Sequence, residues 1–163
     1  MLSFIFALAG LGVFVCFLAV AISLATYILY AIPLYQMASK AELENAWLAW
    51  IPVAQVYVLC MLAKNEADLF GQIKFSKREN AFWAYLIILI AGSVLSFIPF
   101  VSLLSVIACA ILMWKFNYDV INTYANSSNA MVIAVIGTII PLVMTIELWM
   151  IRKNKPDYVY LNN

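Results

Sequence analysis

Residues 2 to 32 carry no charged side chain. As helix they reach roughly 45 Å at about 1.5 Å per residue, more than the roughly 30 Å hydrocarbon core of a bilayer. Such a run is expected to cross at a tilt or to protrude. Ala19-Val20-Ala21 resembles a signal-peptide cleavage site, but no basic residue precedes the run and the run continues past it. A retained transmembrane helix is therefore expected. Tyr27, Tyr30 and Tyr35 suit its interfacial end. Ala7, Ala9, Gly10 and Gly12 form a small-residue patch that could seat a neighbouring helix.

The remaining sequence extends this constraint. Hydrophobic residues make up 67 % of the chain and charged residues 10 %, against roughly 25 % charged in soluble domains. A soluble core of this size cannot bury so much apolar side chain, so the bilayer is the expected solvent. Net charge is +1, with no basic tract to suggest nucleic acid as a partner. Histidine is absent, which removes Ser-His-Asp and Cys-His nucleophiles and histidine-ligated metals. Cys16, Cys60 and Cys109 are dispersed in apolar runs and read as small buried hydrophobes. No cofactor is implied.

Four of the five prolines follow isoleucine: Pro33, Pro52, Pro99 and Pro141. The residue before proline is pushed out of the helical region, and proline suits the first turn of a new helix. Each Ile-Pro is therefore expected to break or kink a helix. Gln36, Gln55 and Ser102 lie three positions beyond three of these prolines.

Ser39-Lys40-Ala41-Glu42 matches a capping box and predicts an amphipathic interfacial helix with Leu43, Ala46, Trp47 and Trp50 on one face. Beyond Pro52 the apolar stretch is too short to cross alone. Either 46–63 is one kinked span, or 52–63 enters partway and returns. Residues 64–80 are a polar loop, with Lys74, Lys77 and Arg78 as candidate lipid-headgroup or protein-partner contacts. Ser76-Lys77-Arg78-Glu79 reads as a second capping box. A helical hairpin through 81–98 and 100–115 follows; past Lys115 the helix is expected to continue beyond the membrane, through Asn117, Asp119 and Asn122, and Lys115 can pair with Asp119. Residues 126–129 form a turn, and 130–151 is an apolar run interrupted by Gly137 and Pro141. A short basic tail, 152–163, ends the chain.

The expected fold is a single all-α domain over 1–163, a polytopic membrane bundle of four to five apolar segments with proline-broken helices. Basic residues mark the cytoplasmic side, which puts the 64–80 loop inside the cell. The tail conflicts with this unless 130–151 is re-entrant or sharply kinked.

No Walker, Rossmann, His-Glu-x-x-His or Gly-x-Ser-x-Gly motif occurs, so no enzyme is expected. The candidate positions are Pro52, Gln55, Pro99, Ser102, Pro141 and Glu147. An acid in an apolar run is a functional candidate, although Glu147 lies close enough to Arg152 to snorkel. Proline-interrupted helices with polar residues near their free amides can build solute sites.

Trp47 or Trp50, Ile51, Pro52, Gln55, Tyr57 and Leu59, with a later Phe97-Ile98-Pro99, resemble a motif of uncharacterised small bacterial multi-pass membrane proteins. Those carry asparagine where this chain has Gln55. The resemblance implies a bacterial cytoplasmic-membrane protein and carries over no catalytic residue. The leading expectation is a non-enzymatic accessory or assembly subunit with a membrane-protein partner or a second copy of itself. The alternative is a small oligomeric transporter or channel.

Overall fold

The computed structural model describes residues 2–63, 67–69, 73–125 and 127–156, with backbone alone for 2–9, 67–69 and 73–74. The Ala7 and Ala9 side chains, the Lys74 side chain, part of the polar loop and the end of the tail thus lie outside the described residues. Helix α1 is Leu2–Lys40, α2 Ala54–Met61, α3 Arg78–Val94, α4 Pro99–Ala125, α5 Ala130–Ile139 and α6 Pro141–Ile151. A five-residue 3₁₀ helix, Ala46–Trp50, precedes α2. Strands β1 (Ala67–Leu69) and β2 (Ile73–Phe75) pair antiparallel inside the expected polar loop. The regular structure is otherwise helical among the described residues. Two helices, Gly10–Lys40 and Pro99–Ala125, are long and apolar enough to cross a membrane.

Several local expectations are corrected. Pro33 lies inside α1 and does not end it. A proline in a helix leaves the carbonyl four residues back without its donor. Here that carbonyl, of Leu29, accepts from the Trp149 indole at 2.7 Å.

Ser39 does not open a helix; it lies in the last turn of α1. Leu43 N–H bonds Ala38 O at 3.1 Å, Glu42 N–H bonds Ser39 O at 3.2 Å, and Glu42 has φ 55°. This is a Schellman ending with a non-glycine residue in the left-handed position. The expected interfacial helix over residues 40–50 shortens to the 3₁₀ segment. Lys77, not Ser76, is the N-cap of α3, and no side chain caps it. The next helix begins at Pro99 and, as expected, continues past Lys115, ending at Ala125.

The segment 130–151 folds back on itself. Ile140 is extended (φ −120°, ψ 92°) and Pro141 starts α6. A Cβ on Gly137 would lie 3.0 Å from Met144 Cβ, whereas seven residues of continuous helix advance about 10 Å. The ends also meet. Ala130 follows α4 after a short turn, and Asn154 Nδ2 donates to Tyr124 O near the end of α4 at 3.0 Å.

The 46–61 segment behaves similarly. It leaves the end of α1 and runs back along that helix, until Tyr27 Oη donates to Trp50 O. Ile51 is extended (φ −110°, ψ 122°), and α2 then returns to the start of α3, where Cys60 Sγ donates to Arg78 O at 3.3 Å.

These two folded-back segments pack between the C-terminal parts of α1 and α4. The core lies there, with Leu34, Met37, Val58, Leu59, Phe116, Ile121, Met144 and Leu148 buried. At the opposite end the molecule is open. None of the apolar window of α1 is buried, and Phe97, Phe100 and Val106 on the α3–α4 hairpin are exposed. Gly92 sets the spacing of that hairpin, since an added Cβ would fall 2.4 Å from Ser105 Cβ.

Candidate functional site

Three of the four Ile-Pro pairs are helix breaks, and two converge. Pro141 and Gln55, which lies in the first turn of α2 beyond Pro52, line one cavity of about 510 Å³. Gln55 N–H closes the turn onto Ile51 O at 2.8 Å, which fixes the residue at the start of α2. Its side chain is 9 % exposed and faces the protein interior.

The opposite wall is Asn117 on α4, with Gly137 and Thr138 at the end of α5 and Leu142 and Thr145 at the start of α6. Helix α1 contributes Ser23, Thr26, Tyr27 and Tyr30. Asn117 precedes the end of α4 by eight residues, about 12 Å. The cavity therefore lies toward the closed end of the molecule.

The hydrogen bonds identify which groups face an occupant. Thr138 Oγ1 donates its one proton to Ala134 O at 2.8 Å, so it can only accept from Asn117, 3.1 Å away. That fixes the Asn117 amide: Nδ2 points to Thr138, and Oδ1 is left as an acceptor. Asn117 is 1 % exposed, and its Oδ1 has no partner. Gln55 Nε2 and Tyr30 Oη are likewise buried without partners. Thr26 donates to Ile22 O and Ser23 O, and Thr145 donates to Pro141 O. The threonines thus turn acceptor oxygens inward.

Two helix N-termini, those of α2 and α6, border the cavity and bring partial positive charge. The Gly137 carbonyl on the same wall receives no amide proton from Pro141, because proline has none. Among the described residues no charged side chain lines the cavity, and no cluster of metal-binding side chains occurs.

The other candidate positions lie elsewhere. Pro99 and Ser102 belong to the open end, where Ser105 Oγ donates to Ser102 O at 2.8 Å in a serine-lined cleft with Gly92 and Cys109. Glu147 is 7 % exposed and does not line the cavity. Among the described residues it forms no ion pair with Arg152, whose guanidinium bonds Gln36 Oε1 at 3.1 Å and covers the Trp149 ring at 3.9 Å. Gln36 is thereby used at the closed end.

Arg78 is not a headgroup contact. It is 4 % exposed and bonds Asp119 Oδ2 at 2.8 Å, while Lys115 bonds Asp119 Oδ1 at 2.7 Å. Arg78 also donates to Cys60 O at 3.1 Å. The expected Lys115–Asp119 pair is thus one arm of a network joining α2, α3 and α4. Lys77 stays exposed.

Sequence reasoning missed the α1 contribution, although a signal was present. Ser23, Thr26, Tyr27 and Tyr30 recur at i, i+3, i+4 and i+7 and so share one helix face. Thr138 and Thr145 flank Pro141 in the same way. Comparison with protein-family models, curated proteins and solved structures gives no match.

Proposed function

We propose that the chain is a multi-pass integral membrane protein that binds and moves a small polar solute, working as an oligomer. In this reading α1, α3 and α4 cross the bilayer, and the segments 46–61 and 130–151 are re-entrant hairpins with proline tips. The charge distribution supports the orientation. Lys40 bonds Arg152 O, and Arg78 and Lys115 meet at Asp119. Lys77 and Lys153 adjoin the same ends of α3 and α6. The positive-inside tendency then makes the closed end cytoplasmic, and re-entry removes the conflict between loop and tail. Resemblance to small bacterial membrane proteins is consistent with the cytoplasmic membrane as the location.

The observation that carries the transport reading is the meeting of two broken segments, distant in sequence, at one cavity with unpartnered polar atoms. Broken helices at a shared polar site are a recurring device for binding solutes inside membranes. A second reading, an accessory subunit, is favoured by the first half of α1, where Leu11, Phe14, Phe17 and Val20 are exposed and uncovered by the other described residues. Purification in mild detergent followed by reconstitution separates the two. Transport predicts solute flux from the purified chain alone. A stoichiometric second protein, with no flux in its absence, refutes transport and supports the subunit reading.

A further inference from the structure

We infer that the cavity selects an uncharged group that both accepts and donates a hydrogen bond, of the carboxamide, urea or polyol type. This rests on the transport reading above. The donor requirement follows from Asn117. Its amide orientation is fixed through Thr138, and it presents a buried Oδ1 with no donor from the described fold, which a ligand N–H or O–H can satisfy. Gln55, whose side-chain amide has Nε2 buried without a partner on the same cavity, supplies an N–H for a ligand acceptor. The start of α6, where Leu142 lines the cavity, reinforces this, since a helix N-terminus favours a ligand oxygen.

Tyr30 Oη can serve in either sense. Met113, Leu142 and Met144 complete the wall with apolar surface. A cation would face two positive helix ends with no carboxylate on the described lining to pair with. An anion would find no lysine or arginine there. Either charge would lose its hydration without a counter-charge, whereas a neutral amide or hydroxyl group exchanges water hydrogen bonds for those of Gln55 and Asn117.

The group can belong to a free solute or to the polar head of a neutral lipid, because both carry the same hydrogen-bonding chemistry. Urea and guanidinium provide a comparison with nearly constant shape and different charge. The full chain is reconstituted in phosphatidylcholine vesicles, and entry of urea, acetamide, glycerol and guanidinium is followed. Thermal stabilisation in detergent is measured in parallel with acetamide, glycerol and a monoacylglycerol.

Urea and acetamide are expected to enter well above protein-free vesicles, with guanidinium at background. Gln55→Leu is expected to weaken uptake or stabilisation by about tenfold, the worth of one hydrogen bond, while its ligand-free melting temperature is maintained. That variant removes a side-chain donor with no protein partner, so it separates recognition from folding. Asn117→Leu should lose recognition as well, with some stability, through the Thr138 bond. Gln55-dependent stabilisation by the monoacylglycerol but not glycerol supports the same chemistry with a lipid as its source. Guanidinium entry equal to that of urea overturns the selectivity and leaves transport standing. No flux and no stabilisation by any probe overturns the transport reading and this inference with it.

Discussion

Replacing Asp119 by leucine should destabilise the protein far more than replacing Lys115, although both belong to one ion network. Asp119 is 10 % exposed and accepts from Arg78 at 2.8 Å and Lys115 at 2.7 Å. Arg78 is the more deeply buried cation, at 4 % exposure, and Asp119 is its carboxylate partner among the described residues. Removing the shared carboxylate takes the counter-charge from a buried Arg78 and from Lys115 together, a loss comparable to breaking a buried pair, about 3–5 kcal/mol. Lys115→Leu leaves the Arg78–Asp119 pair intact and removes a partly exposed contact, worth about 1 kcal/mol or less. Combining Asp119→Leu with Arg78→Met removes both charges and should recover most of the loss, as apolar replacements of buried pairs commonly do. The assay is reversible unfolding in detergent micelles, followed by tryptophan fluorescence, for the four proteins. At roughly 2–4 °C per kcal/mol for a chain of this size, Asp119→Leu should lower Tm by about 6–20 °C. Equal effects of Asp119→Leu and Lys115→Leu, or a double variant no better than Asp119→Leu, would refute the network as a buried lock.

Glu42→Gly should raise stability by about 1 kcal/mol, since glycine occupies the left-handed position at φ 55° without a Cβ penalty; a chemical-denaturation midpoint measures it. Trp149→Phe should cost about 1 kcal/mol by leaving Leu29 O bare. The cost should shrink in a Pro33→Ala background, where the substituted residue supplies the missing amide, and a double-mutant cycle reads that coupling. Gly92→Ala should cost about 1–3 kcal/mol because its Cβ meets Ser105 at 2.4 Å. Ser105→Gly should restore most of it in the same melting assay.

Much of the helix content was legible because helix-forming segments dominate the sequence and leave little ambiguity of period. The break at Pro52 was also legible. The first-turn position of Gln55 follows from the preference of proline for a helix start, whereas entry and return within 52–63 was not the outcome: 46–50 forms the outgoing limb and α2 only the return. The Ser-x-x-Glu motifs misled because a capping box is a local pattern that competes with the helix already running through it. At Ser39, α1 carried on because Leu34, Met37 and Ala38 are fully buried, and burial of that face outweighs a cap worth about 1 kcal/mol. Arg78 misled for a related reason. A basic residue beside a polar loop reads as solvated unless its carboxylate partner, here 41 residues away, is known. The α1 face of the cavity was readable as a polar stripe, but only tertiary structure assigns it a neighbour.

The Ile-Pro pairs show most directly where local sequence stops being sufficient. Ile32-Pro33 and Ile140-Pro141 present the same dipeptide inside apolar runs, yet one is traversed by a continuous helix and the other is a fold-back. In both, proline removes the amide that would meet the carbonyl four residues earlier. At Pro33 that carbonyl is Leu29 O, and the Trp149 indole replaces the missing donor from another helix. At Pro141 the corresponding residue is Gly137, whose missing side chain lets α6 approach within contact of α5. The same bare position therefore permits the sharp return. It also brings Gly137, Thr138, Pro141 and Leu142 to the cavity wall opposite Gln55. A proline creates a backbone acceptor without its usual donor, and the surrounding fold decides how that acceptor is used. Where a side chain satisfies it the helix continues, and where the backbone turns away the break becomes part of a binding surface.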